Sequence, residues 1–110
     1  MDIQFWIDES GRIAKDNGWD NEEVPFPETL ALIHSELSEA LEHYRHEAKI
    51  DDSWIDELSG KPDGIPVEIA DVLIRVFHWL SFNEIDIETY LHLKMEYNAD
   101  REYRHGGLKA

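Results

Sequence analysis

Residues 67–80 read VEIADVLIRVFHWL, and this stretch decides the fold. Apolar side chains cover it on nearly every side at helical periodicity, which is typical of a helix at the centre of a domain or at an interface. Four polar residues interrupt the pattern, namely Glu68, Asp71, Arg75 and His78. Their spacings of three, four and three residues place them in one stripe along the predicted helix.

The two carboxylates of this stripe require an explanation. A carboxylate buried among apolar groups costs several kcal/mol unless it is paired or bound to a cation. One explanation is that the stripe faces solvent and that Asp71 pairs with Arg75 on the next turn. The other is that Glu68 and Asp71 bind a cation. The helix alone does not separate these two alternatives.

Prolines and glycines divide the rest of the chain into helices and loops. They predict four helices, which run from about Asp2 to Asn17, from Pro27 to His46, from Pro66 to Phe82 and from Asp86 to Arg104. Between the second and third, residues 51–58 are compatible with a short helix and residues 60–64 with a loop. Because no strand-like alternation of useful length appears, the sequence predicts an all-α bundle of four main helices. Residues 1–110 are expected to form a single domain.

The second predicted helix supplies a matching pair of carboxylates. Glu36 and Glu39 are three residues apart and therefore point the same way from the helix. Two helices that each offer such a pair can face each other and enclose a hard cation with oxygen ligands from Glu36, Glu39, Glu68 and Asp71. Carboxylate and water oxygens suit Mg²⁺, with Mn²⁺ as a possible substitute. His43, one turn beyond Glu39, can orient such a ligand or simply pack against the bundle.

Composition limits the other possibilities. The net charge of −15 disfavours partners such as nucleic acids, which bind through their phosphates to basic patches. The chain has no cysteine, which excludes disulfides, thiolate nucleophiles and cysteine-bound metals. Neither a signal peptide nor an apolar run long enough to span a membrane is visible, so a cytoplasmic protein is expected.

The fourth predicted helix carries the opposite charge. Lys94, Asn98, Arg101 and His105 follow one another at spacings of four, three and four residues, so they share one face. In so acidic a chain this stripe is a natural counterpart to a triphosphate bound on carboxylate-held metal. Lys109, after two glycines, adds a basic tail that can close over phosphates. The alternative is that basic residues only complement the carboxyl end of a helix.

Three aromatic residues in the first part of the chain are candidates for stacking on a nucleobase. Phe5 and Trp6 are more readily explained as core residues of the first helix. Trp19 follows the end of that helix and is the stronger candidate.

The two acidic pairs resemble motifs of a known family. Glu36-Leu37-Ser38-Glu39 followed by Glu68-Ile69-Ala70-Asp71 is similar to the ExxE and ExxD motifs of the all-α MazG-like nucleotide pyrophosphohydrolases. Residues 94–98 (KMEYN) and 103–107 (YRHGG) are similar to the carboxyl-terminal motif of its small, single-domain branch. The likeness extends from about Pro27 to Gly107.

This resemblance implies an activity and a set of roles. The activity is magnesium-dependent hydrolysis of a (deoxy)nucleoside triphosphate to the monophosphate and pyrophosphate, by dimers or dimers of dimers, as in nucleotide-pool house-cleaning. Either Glu36 or Glu39 would act as the general base. The leaving pyrophosphate and the nucleotide would contact the carboxyl-terminal residues Lys94, Asn98, Arg101, Arg104, His105 and Lys109.

Two other functions stay open from the sequence. A di-iron carboxylate bundle typically uses two Glu-x-x-His pairs, and this chain has that spacing only at Glu102 and His105. The second alternative is a helical module that binds or senses a nucleotide without hydrolysing it. Ser35 stands where the MazG-like family often has a glutamate, which leaves this second alternative open.

Overall fold

A computed structural model describes residues 1–19 and 24–101 of the chain. Its elements follow the order α1 (Ile3–Asp16), α2 (Phe26–Arg45), β1 (Trp54–Ile55), β2 (Pro62–Asp63), α3 (Ile65–Phe82) and α4 (Ile87–Asp100). The predicted all-α class with four helices is confirmed. Both ends of α1, α2 and α3 and the start of α4 agree with the prediction within one residue, whereas α4 ends at Asp100 and not near Arg104.

Local chemistry explains where the helices begin and end. The Asp2 side chain accepts a hydrogen bond from the Phe5 N–H at 3.0 Å and so caps the first turn of α1. Pro27 and Pro66 lie in the first turns of α2 and α3, where the missing N–H costs nothing. At the end of α1, the Asn17 side chain donates to the Ile13 carbonyl at 2.8 Å.

The apolar helix α3 lies at the centre of the fold, as its sequence predicts. It packs against both α1 and α2. Ile7 and Ala14 of α1, Ala40 of α2 and Leu80 of α3 are the buried apolar residues of this three-helix core. Of the described helices, α4 alone buries no residue and packs extensively against none of the others.

The short helix expected over residues 51–58 is wrong. The chain there forms a small antiparallel hairpin, in which Trp54 pairs with Asp63 and Ile55 with Pro62. The physical reason is local, because the Asp56 carboxylate accepts hydrogen bonds from the N–H groups of Leu58 and Ser59, both at 2.9 Å. An aspartate that bonds its own following backbone in this way favours a turn over a helix.

The core leaves much apolar surface uncovered. Ile69, Leu73 and Ile74 of the central helix are each between 42% and 50% exposed. The radius of gyration is 17.0 Å, whereas a closely packed chain of this length has about 13 Å. Among the described residues, no helix combines the length and the apolar character needed to cross a lipid bilayer.

Candidate metal centre

Carboxylates from α2 and α3 meet between the two helices. Oxygen atoms of Glu36, Glu39 and Glu68 all lie within 4.8 Å of one another. Glu36 and Glu68 are buried, and Glu68 is only 3% exposed. The solvent-facing alternative for the α3 stripe is therefore wrong for Glu68, which points into the space between the helices.

Glu68 lies in an unfavourable environment for a negative charge. Its Oε2 atom is buried and has no hydrogen-bond partner among the described residues. Burial above all, and then the neighbouring carboxyl groups of Glu39, Asp63 and Glu36, raise the pKa of Glu68 to about 8. A buried carboxylate surrounded by other carboxylates is a site that a divalent cation would stabilise.

Asp71 lies one turn further along α3 and outside that close group of three. Burial first, and then the charge of Glu36, raise the pKa of Asp71, while Arg75 and Lys61 oppose this effect. Asp71 therefore interacts electrostatically with the cluster, but the structure does not bring its oxygens as close as those of the three glutamates. Its assignment as a metal ligand stays a prediction.

Arg75 links the carboxylates to a neighbouring cleft. Its Nε donates to Glu36 Oε1 at 2.9 Å, across from α3 to α2. The same residue lines a cleft of about 210 Å³, together with the candidate stacking residue Trp19, Leu32 and Trp79. The Trp19 side chain is thus available at a cavity next to the carboxylates, and this residue is 65% exposed. Phe5 and Trp6 pack edge-on against each other, with ring centroids 5.1 Å apart, and do not line that cleft.

The predicted phosphate-binding residues lie on the separate helix α4 or beyond it. Lys94 and Arg101 both approach the ring of Tyr97, at 5.0 Å and 5.7 Å from its centroid. Because α4 does not pack extensively on α2 or α3, a single chain does not bring this stripe onto the carboxylates. Asn98 is exposed on the same helix. Arg104, His105 and Lys109 lie outside the described residues.

The hairpin adds a residue that the sequence did not single out. Asp63, at the end of β2, lies 2.8 Å from His43 Nε2, and His43 Nε2 in turn lies 3.5 Å from Glu68 Oε1. The Gly64 N–H donates to Asp63 Oδ1 at 2.9 Å, and this bond is the main cause of the lowered pKa of Asp63. An acidic residue just before a helix start was the only signal for it, and that signal is too common to be specific.

Comparisons of the chain with protein-family models, with curated proteins and with solved structures find no match.

Proposed function

We propose that the chain is a magnesium-dependent hydrolase that cleaves (deoxy)nucleoside triphosphates to the monophosphate and pyrophosphate. The observation that supports this most is the buried Glu68 carboxyl group, with an unsatisfied oxygen, within 4.8 Å of Glu36 and Glu39 oxygens. A buried carboxyl group of this kind lowers the stability of the fold, and a bound divalent cation would compensate for that cost. Its function is to bind a hard divalent cation, with Asp71 completing the ligand set.

The residues around the proposed metal ion have different roles in the hydrolysis. A Mg²⁺ ion bound here supplies positive charge that polarises phosphate oxygens and favours ionisation of water. Glu36 and Glu39 flank the position, and one of them accepts the proton of the attacking water. Arg75 fixes Glu36 through its 2.9 Å hydrogen bond, which favours Glu39 as the base, because Glu39 is exposed and has no arginine partner among the described residues.

The nucleotide extends from the carboxylates in two directions. Trp19 stacks on the base in the cleft that Arg75 connects to Glu36. The polyphosphate contacts the cationic stripe of Lys94, Asn98 and Arg101, followed by Arg104, His105 and Lys109. Since α4 stands apart from α2 and α3 in one chain, this contact requires either movement of α4 or the α4 of a second copy.

Assembly into a homodimer or homotetramer provides that second copy. The exposed apolar residues of α3, Ile69, Leu73 and Ile74, form a surface that costs free energy when it is left in water. On α4, Tyr90, Leu93 and Tyr97 form a second apolar stripe, and each is about 60% exposed. Two such faces, which no other described residues cover, favour self-association of a short chain.

The assembly is tested by the substitution Leu73→Arg. Leu73 is 49% exposed, so the change leaves the monomer core intact and places a charge in the proposed interface. We expect light scattering after size exclusion to give a multiple of 12.9 kDa for the wild type and a mass near 12.9 kDa for the variant. The matched control is Leu58→Arg, at a fully exposed leucine of the hairpin turn, which should keep the wild-type mass. A monomeric wild type at high concentration would refute the assembly.

The activity is tested by Mg²⁺-dependent release of pyrophosphate from a panel of common and modified nucleoside triphosphates. We expect Glu39→Gln and Asp71→Asn to reduce turnover by roughly 100-fold while the helical circular dichroism is retained. Glu42→Gln, an exposed glutamate on the same helix as Glu39, is the control and should keep full activity. Wild-type rates from either active-site variant would mean that the metal assignment is wrong. Tight nucleotide binding without product would instead favour the sensing module.

A further inference from the structure

A second group of possible metal ligands lies on the hairpin side of Glu68. His43 Nε2 of α2, a carboxylate oxygen of Asp63 at the end of β2 and one of Glu68 on α3 all lie within 4.8 Å of one another. The nitrogen is 2.8 Å from Asp63 Oδ1 and 3.5 Å from Glu68 Oε1. Adjacent ligands of an octahedral ion with bonds of about 2.1 Å are about 3 Å apart, so these spacings suit a common cation.

The surroundings hold these three side chains in place. The Gly64 N–H fixes Asp63 through its 2.9 Å bond to Oδ1. The ring of Trp54 packs edge-on against the His43 imidazole, with centroids 5.3 Å apart. Three different elements therefore bring one nitrogen and two oxygen ligands together in a partly buried space, which is the arrangement of a built site and not of a mobile surface cluster.

The hydrogen bonds within the group do not satisfy Glu68. A simple His43–Asp63 hydrogen bond accounts for the 2.8 Å distance, but it leaves Glu68 unexplained. The Glu68 side chain is 4% exposed, and its Oε2 has no hydrogen-bond partner among the described residues. Among the described residues, no lysine or arginine pairs with Asp63 or Glu68, so ionisation of both carboxyl groups would leave their charges without a fixed cation beside them.

We propose that His43, Asp63 and Glu68 form a second divalent-cation site, distinct from the site of Glu36 and Glu39 and sharing Glu68 with it. This inference rests on the proposed function in one respect, since Glu68 is assigned to both sites. The histidine nitrogen favours a first-row transition ion over Mg²⁺, which prefers oxygen ligands alone, and Mn²⁺ serves as the paramagnetic probe of such an ion. The shared carboxylate offers one oxygen to each ion.

The experiment counts Mn²⁺ ions per chain by isothermal titration and detects a directly bound nitrogen by pulsed electron paramagnetic resonance. We expect the wild type to bind two ions and to show one ¹⁴N coupling. His43→Gln should lose the coupling and weaken one ion at least tenfold, and Asp63→Asn should weaken the same ion if the histidine variant does not fold. His46→Gln, an exposed histidine of α2 bonded to Glu42, is the matched control and should change neither readout.

The outcomes separate this inference from the proposed function. One ion that is lost in Glu39→Gln but kept in His43→Gln, with no nitrogen coupling, overturns the second site and leaves the first intact. One ion that is lost in His43→Gln and Asp63→Asn but kept in Glu39→Gln supports the second site and overturns the first. Two ions that both persist in His43→Gln overturn the inference, and a wild type that binds no Mn²⁺ overturns both sites.

Discussion

Replacing Glu68 by glutamine is expected to lower pyrophosphate release by 1,000-fold or more, on the order of the loss of a catalytic metal ion, and at the same time to stabilise the metal-free protein. Glutamine has nearly the shape of glutamate but carries no charge, so it removes a ligand without emptying the space between α2 and α3. The combination follows directly from the burial of Glu68 among other carboxylates.

The raised pKa of Glu68 determines whether its contribution to stability rises or falls with pH. The pKa of Glu68 is raised from 4.5 to about 8, so the folded protein binds this proton more tightly than the unfolded chain does. Its contribution to stability is therefore fully present below pH 4.5 and is lost as the pH rises towards 8. We expect the melting temperatures of the wild type and Glu68→Gln, without metal, to be similar near pH 4.5. Near pH 8 the variant should melt higher by roughly 10 °C.

Added divalent cation should reverse this order. Binding to the folded state alone stabilises the wild type by mass action, and the variant lacks a ligand, so it should gain much less. The control is Glu28→Gln, because Glu28 is the acidic residue in the first turn of α2, as Glu68 is in α3. It removes the same favourable helix-dipole interaction without a buried charge. A Glu68→Gln variant that is less stable than the wild type at pH 8 without metal would contradict the explanation.

The sequence predicted the parts of the site that depend on helical periodicity. Glu36 with Glu39, and Glu68 with Asp71, lie on one side of their helices because residues three apart do so in any α-helix. The central place of α3 also followed from its apolar composition. Periodicity does not predict how deeply each side chain is buried: the structure buries Glu68, whereas Asp71 is half-buried.

The hairpin was beyond sequence analysis for a physical reason. Its strands have two residues each, too short for an alternating pattern, and its turn depends on one side chain, Asp56, bonding its own backbone. Asp63 was missed because its meeting with His43 depends on where that hairpin folds back. The separation of α4 was also not predictable, since a helix with apolar residues at Tyr90, Leu93 and Tyr97 has a face to bury but no signal for its partner.

Replacing Gly64 by alanine is the second large effect that we expect, a loss of about 3 kcal/mol or more in the free energy of unfolding. Gly64 joins β2 to α3 with φ +122°, a conformation that side chains rarely adopt. An alanine Cβ there would also lie 2.6 Å from the Asp52 carbonyl oxygen and 3.0 Å from the Ser53 Cα. Both atoms belong to the backbone, so the clash cannot be relieved by rotating a side chain.

Gly60→Ala is the matched control for this prediction. Gly60 lies in the same hairpin with φ +74°, but no atom lies within 4 Å of where its Cβ would be. The Gly60→Ala variant should lose only about 1 kcal/mol in the free energy of unfolding, which is the cost of a left-handed backbone conformation at alanine. In urea unfolding, the free energy of unfolding should therefore differ between the two variants by about 2 kcal/mol, while its dependence on urea concentration stays the same. Equal losses would mean that the Asp52 backbone yields, and that the hairpin does not hold Asp63 and the start of α3 as firmly as the proposed metal sites require.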